Sequence, residues 1–387
     1  MERARRWVTW ALSGGLVACA VPDAPRDAER APAPAVATSP APPALAEVEP
    51  VPEEPDAPMP RPARGRLGAA VALNAGCVSC HEREAADWRG SLHQRSDLDP
   101  AYQQAFAIEP GPFCRGCHAP EGDPGRPPPA AVRALGVGCV TCHVTDEGIL
   151  LAAASPVGAS ADAEGRAPHP LRRSRDFAAG GACAGCHEFR FPLASGDDEG
   201  AFMQTTAREH GSSATPCAGC HMPPVEGRRS HAFGQARDPS WLREHLEVRV
   251  EPVGDRRLRV TLRQTAPGHA FPTGDLFRRL EIGADLRSAD GEVLARSRRY
   301  LARHFERVPG RRERQLTGDD RVGGEPAVVE LSWESPVPRA AVVAWWVSYQ
   351  RVATVGAGTD PALARVESEV RLHSGVLALE PGYPRGP

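Results

Sequence analysis

Cys77-Val78-Ser79-Cys80-His81 opens a series that recurs as Cys114-Arg115-Gly116-Cys117-His118, Cys139-Val140-Thr141-Cys142-His143, Cys183-Ala184-Gly185-Cys186-His187 and Cys217-Ala218-Gly219-Cys220-His221. Two thiols three positions apart, followed at once by a histidine, form the attachment signal of c-type haem. The thiols add across the porphyrin vinyl groups, and the adjoining imidazole reaches the iron. Zinc sites and structural disulfides also use paired cysteines, but neither requires a histidine after every second one. The series therefore predicts five covalently attached haems c, bound through Cys77, Cys80, Cys114, Cys117, Cys139, Cys142, Cys183, Cys186, Cys217 and Cys220. His81, His118, His143, His187 and His221 are the expected proximal ligands.

The motifs start 37, 25, 44 and 34 residues apart, so five macrocycles share the 155 residues from Cys77 to His231. So little polypeptide per cofactor cannot enclose each one in a conventional core. The expectation is that the haems are the core, with short helices and loops wrapped around them. Close-packed haems make a route for electrons.

Whether such a chain is a wire or an enzyme turns on the sixth ligands. An iron with two strong axial ligands exchanges electrons, whereas a five-coordinate iron can bind a small molecule. Eight histidines lie outside the motifs. His93 follows a glycine that can end a short helix, and His169 sits between two prolines. His210 precedes Gly211, a natural helix stop. His231 follows the last motif by ten residues, and His269 lies in a proline-stiffened loop bounded by Gly268 and Gly274. These five are the candidate distal ligands. His245, His304 and His373 fall in or beside strand-like segments and are expected to be ordinary histidines. Five candidates for five irons favour bis-histidine ligation throughout, and a single failure leaves an open iron.

The run of motifs, the Trp88-x-x-Ser91-x-His93 stretch and Cys217-Ala218-Gly219-Cys220-His221-Met222-Pro223 resemble multihaem cytochromes of the cytochrome c-554 type. Gly268-His269-Ala270-Phe271-Pro272-Thr273-Gly274 is similar to a loop of multihaem cytochromes that carry a C-terminal β-domain. The resemblance covers about residues 70–280. It implies periplasmic or cell-surface electron transfer, with His93, His210, His231 and His269 as distal ligands. Such relatives include carriers serving hydroxylamine oxidation, and some keep one five-coordinate haem. Two features depart from the pattern. The carrier has four haems rather than five, and the CxxCK motif of ammonia-forming nitrite reductases is absent, since all 46 basic residues are arginine. None of the four tyrosines lies beside a motif in sequence, so the tyrosine signature of hydroxylamine oxidoreductase is not evident.

After Trp241 the texture changes. Leu246–Val250 and Leu258–Leu262 alternate apolar and polar residues, the mark of half-buried strands. Further strand-like runs occupy 279–287, 291–302, 326–334, 341–351 and 365–372. Seven short strands predict an antiparallel β-sandwich of immunoglobulin-like type. The fold class is therefore α + β: a haem-packed α/irregular domain over 67–240, then a sandwich over 241–387. Trp345 and Trp346 must point to opposite faces of their strand, one of them into the core. Residues 296–314 hold eight arginines against Glu306 and Glu313. They fit either a docking patch for an acidic partner or a strand edge protected by charge.

The N-terminus reads as an export signal. Arg3, Arg5 and Arg6 precede a 12-residue apolar run from Trp7 to Ala18, too short to span a bilayer. It ends in Leu16-Val17-Ala18-Cys19, which resembles the lipobox of bacterial lipoproteins and makes Cys19 the expected lipidation site. Residues 1–18 are thus an expected lipoprotein signal peptide, and 19–66 a lipid-anchored linker. Its 13 prolines in 47 positions from residue 20, with no aromatic residue, favour disorder. A formal charge of −3 gives no footing for nucleic acid. The sequence predicts a pentahaem cytochrome on the periplasmic or cell-surface side of a bacterial membrane, the outer membrane favoured. It would serve donor and acceptor redox proteins whose identity the sequence does not name. The alternative is a multihaem oxidoreductase acting on a small nitrogen or sulfur compound at one open haem.

Overall fold

The computed structural model describes residues 65–378 except 109, 155–168, 192–198, 212, 235–237, 267, 308–313, 335–337, 339 and 354–359. The expected signal peptide, Cys19 and nearly all of the linker lie outside the described residues. The motif-bearing half and the β-rich half fall within one compact unit.

Each motif lies in a short helix, because in a helix positions i, i+3 and i+4 share a face. Both thiols and the histidine then project to one side. The helices are Leu67–Cys80, Pro112–His118, Cys139–His143, Gly181–His187 and Cys217–His221. Each ends at its motif: the next backbone N–H closes the last turn, as His81 N–H does onto Cys77 O at 2.8 Å and Ala119 N–H onto Arg115 O at 2.8 Å.

Polar pins hold these helices together. Cys139 N–H donates to Asn74 Oδ1 at 2.8 Å, fixing the third motif against the first helix. The approach is close enough that a Cβ on Gly138 would lie 2.6 Å from Asn74 Oδ1 and 2.7 Å from Leu135 Cδ1. Glu121, fully buried, accepts from Arg66 at 2.9 and 3.1 Å and from the Thr141 hydroxyl at 3.0 Å. This ties the start of the first helix to the segments of the second and third motifs. The apolar cluster of this half has only four buried members, Ala70, Leu135, Val140 and Val144.

Among its described residues the C-terminal half carries nine strands: β1 (Leu246–Val253), β2 (Arg257–Gln264), β3 (Arg278–Arg287), β4 (Val293–Leu301), β5 (Arg303–Arg307), β6 (Arg314–Asp319), β7 (Ala327–Ser332), β8 (Val342–Val352) and β9 (Val366–Ala378). One antiparallel sheet runs β7-β2-β1 and the other β4-β3-β8-β9, while β5 and β6 form a separate hairpin. Alternation sends Leu258, Val260 and Leu262 of β2 and Leu280, Ile282, Ala284 and Leu286 of β3 into one shared core of 19 buried residues. The two sheets thus make the expected sandwich, with burial worth about 1.5–3 kcal/mol for each large aliphatic side chain. Trp345 packs on that core, while Trp346 lies on the outer face with its indole N–H donating to Glu281 at 2.8 Å.

Two details differ from the sequence reading. The β5–β6 hairpin occupies the arginine-rich stretch, where polar residues at successive positions hide the alternation. The boundary expected at 240/241 falls inside the helix Pro239–Glu244, which packs on the sandwich through Arg243 donating to Leu372 O at 2.9 Å. Within the arginine run, Arg296 and Arg298 pair with Asp285 and Glu281 at 3.6 and 3.7 Å, on an edge strand.

Candidate functional site

Four motif histidines each face a second histidine. Ring centres are 6.2 Å apart for His81 and His169, 6.2 Å for His93 and His187, 6.4 Å for His143 and His231, and 6.2 Å for His221 and His269. That is too far for imidazoles in contact. Two imidazoles sharing one metal through bonds of about 2 Å have their centres roughly 6 Å apart. The gap in all four pairs therefore fits a single iron, and these residues fit c-type haem.

The ring nitrogens are oriented for that role. Backbone carbonyls accept from Nδ1–H of His118 (Ser96 O, 2.8 Å), His143 (Leu151 O, 3.0 Å), His231 (Arg229 O, 3.0 Å) and His269 (Ala270 O, 3.2 Å). A carbonyl can only accept, so the proton sits on Nδ1 and the Nε2 lone pair is left for a metal. The Gln204 amide stands 3.2 Å from His187 Nδ1; with its oxygen turned to the ring it accepts in the same way. Burial, aided by neighbouring His187 and His221, lowers His93 to about 3. Burial, aided by His269, lowers His221 to about 4. Burial also lowers His118, His143, His187 and His269. All are held neutral at pH 7, the form that binds iron.

None of the ten motif cysteines is spent in a disulfide. Cysteines of different motifs lie side by side: Cys77 beside Cys139, Cys117 beside Cys186, and Cys183 beside Cys217. Cys142 also lies within electrostatic range of Cys183. The spatial order is therefore not the chain order. The first motif adjoins the third, the third adjoins the fourth, and the second and fifth both adjoin the fourth. Gly180 makes the last of these approaches possible: its φ is +105°, and a Cβ there would lie 2.8 Å from Cys217 Sγ.

The second motif is different. His118 faces no histidine; Tyr102 stacks on its imidazole, with centres 3.7 Å apart and planes within 7°. Tyr102 is absent from the sequence-level candidates because it lies outside any motif. Its i, i+4 neighbour Phe106 packs beside it in the helix Pro100–Ile108. No tyrosine is next to a motif in the chain, yet the fold brings one onto a motif histidine. Asp275, Asp97 and Asp99 surround the same ring.

His93, His169, His231 and His269 thus each face a motif histidine. His210 does not: its Cδ2 lies 3.5 Å from the position of a Cβ on Gly268, and it has no ring contact with a motif histidine. Of the histidines expected to be ordinary, His245 packs on Trp241 at 4.1 Å and His304 bonds Asp320 at 2.8 Å. His373 lies in β9, its Nε2 buried without a partner.

The fold and this arrangement are similar to those of multihaem c-type cytochromes that carry a C-terminal β-domain. The family Cytochrome c554 and c-prime matches residues 76–144, which span the first three motifs. Among solved structures, a penta-heme cytochrome c552 from Thermochromatium tepidum aligns with TM-score 0.55 and 20% identity, over 82% of this chain and 100% of that one. MtrC from Shewanella baltica OS185 aligns over 62% of this chain and 35% of its own at 12% identity, but its TM-score of 0.17 gives it no weight. No curated protein matches the chain in sequence.

Proposed function

We propose that this chain is an exported pentahaem cytochrome that carries electrons between redox proteins, four of its haems being bis-histidine ligated. The observation that carries this reading is the four facing imidazole pairs at 6.2–6.4 Å. Bound haem supplies the reversible one-electron chemistry. The chain's own part is to clamp each site from both sides, to hold the imidazoles neutral and to keep neighbouring sites in contact. The thiol contacts support a branched route, with the fourth motif at the junction of the second, third and fifth.

One observation favours a second reading at a single position. His118 has no imidazole opposite, so the second motif offers one protein ligand where the others offer two. A small nitrogen or sulfur compound could then bind there, and the chain would be an oxidoreductase at that site.

Electron paramagnetic resonance of the fully oxidised protein, with haem quantitation, tests both. Five haems with four low-spin signals and one high-spin signal are the expected result. Five low-spin signals would remove the open site and leave a carrier alone. Adding nitrite, hydroxylamine or sulfite should perturb only the high-spin signal, and His169→Ala should create a second one.

Export rests on the N-terminal signal and lipobox. Among the described residues no helix is long and apolar enough to cross a membrane, and a lipid on Cys19 would provide attachment, with the outer membrane favoured. Globomycin-sensitive processing with fatty-acid labelling supports this, and a Cys19→Ala protein that still partitions with membranes overturns it.

A further inference from the structure

His269 is the one distal candidate supplied by the sandwich, in the loop between β2 and β3. The loop's framework is local. Phe271 and Val322 exchange backbone hydrogen bonds at 2.8 and 2.9 Å. Gln264 donates to His269 O at 3.0 Å and to Val322 O at 2.7 Å. These bonds shape the loop but do not aim it at the motif-bearing half. That task falls to one carboxylate.

Glu209 lies in the helix Thr206–His210, on the motif side. Its Oε2 accepts the backbone N–H of Ala270, the residue after His269, at 3.0 Å. Its Oε1 accepts from Arg321 at 2.7 Å and from the Thr205 hydroxyl. Arg321 is 5% exposed; it also donates to Pro272 O at 3.3 Å and pairs with Asp319 at 2.6 Å. The Thr206 and Thr273 hydroxyls meet at 2.9 Å alongside. The loop is therefore gripped on both sides of Phe271 by a single buried ion pair, and His269 hangs from it.

We infer that Glu209, held by Arg321, is a positioning residue that sets His269 opposite His221. Docking of the sandwich and ligation at the fifth motif are then one event. The argument rests on the reading of His269 as a distal ligand. Groups one step removed from a ligand commonly change metal affinity 10–100-fold when lost, and here the lost group would release the whole loop.

The test uses the haem-loaded full chain. In His269→Ala, one further haem should turn high-spin, and added imidazole should restore the low-spin signal. If His269→Ala changes nothing, His269 is not a ligand, and the reading beneath this inference fails. Glu209→Ala should reproduce the His269→Ala spectrum with five haems retained, and the double variant should add no third high-spin haem. If His269→Ala converts one haem and Glu209→Ala converts none, the positioning role is overturned while ligation stands. Should Glu209→Ala not accumulate with five haems, Glu209→Gln serves instead, since it keeps the side-chain shape but weakens the ion pair. Cyanide binding at one haem about tenfold faster than in the parent protein supports the inference, and an unchanged rate overturns it.

Discussion

The two halves of this molecule solve the problem of a core in opposite ways. The sandwich buries 19 apolar residues between two sheets in one shared cluster. In the motif-bearing half the apolar cluster among the described residues has four buried members, and the helices meet through Asn74, Glu121 and Arg66. An apolar cluster that small offsets little of the ordering entropy of the chain around it. The difference teaches that the cofactors are the structural filling of one half, whereas the other folds by ordinary hydrophobic burial.

The largest effect expected from this contrast follows from preventing haem attachment. With all ten motif cysteines replaced by alanine, amides of residues 65–234 should lose hydrogen-exchange protection by ~10³-fold or more, while β1–β4 and β7–β9 keep theirs. Equal protection in both halves of that variant would break the contrast.

A cavity in the sandwich should act the other way. Leu262→Ala removes a fully buried side chain from the 19-residue core and should cost about 2–5 kcal/mol in denaturant unfolding. The visible haem spectrum should stay unchanged until the transition. Spectral change well before unfolding would show that the halves are more strongly coupled than their cores suggest.

The outer face of the sandwich is nearly as closely fitted as the inner. A Cβ on Gly283 would lie 2.3 Å from the Trp346 ring. Gly283→Ala should therefore destabilise by about 1–3 kcal/mol and shift tryptophan fluorescence, again without altering the haem spectrum.

The smallest effect is a pH dependence confined to the sandwich side. The hydrogen bond that His304 donates to Asp320 raises the pKa of His304 above its ordinary value, so the folded state binds this proton more tightly than the unfolded chain does. The pair stabilises fully below the unfolded value of about 6.5 and loses its contribution as pH rises through the folded pKa. His304 is 30% exposed, so screening limits the contribution to about 1 kcal/mol at most. Thermal melts between pH 5 and 9 should show it, and Asp320→Asn should abolish it.

Most of this architecture is legible along the chain. The five motifs are local chemistry: each needs one helical turn to gather its groups, and each is reached by a helix that supplies at least that turn. Alternation at 246–250, 258–262 and 279–287 placed the strands within three residues, because a half-buried sheet imposes a period of two wherever it occurs. The β5–β6 hairpin escaped because charged residues on both faces erase that period.

The sixth ligands were only half legible. Glycine, proline and helix-stop context made His93, His169, His231 and His269 candidates, and the fold sets each opposite a motif histidine. The same reasoning raised His210, which has an equally suitable context but packs against Gly268 instead. Local context tells whether a histidine can be presented, not what it will face.

By itself, then, the sequence determined the number of attachment sites, the residues that make them and the β-sandwich that follows, since these depend on neighbours along the chain. Only the tertiary structure decided which histidine faces which, that the fourth motif stands between the second, third and fifth, and that Tyr102 rather than an imidazole meets His118. It alone placed Glu209 between Arg321 and the His269 loop, 112 residues from the one and 61 from the backbone N–H of the other. Contacts over such separations are set by how helices and sheets pack, and no local pattern of residues encodes them.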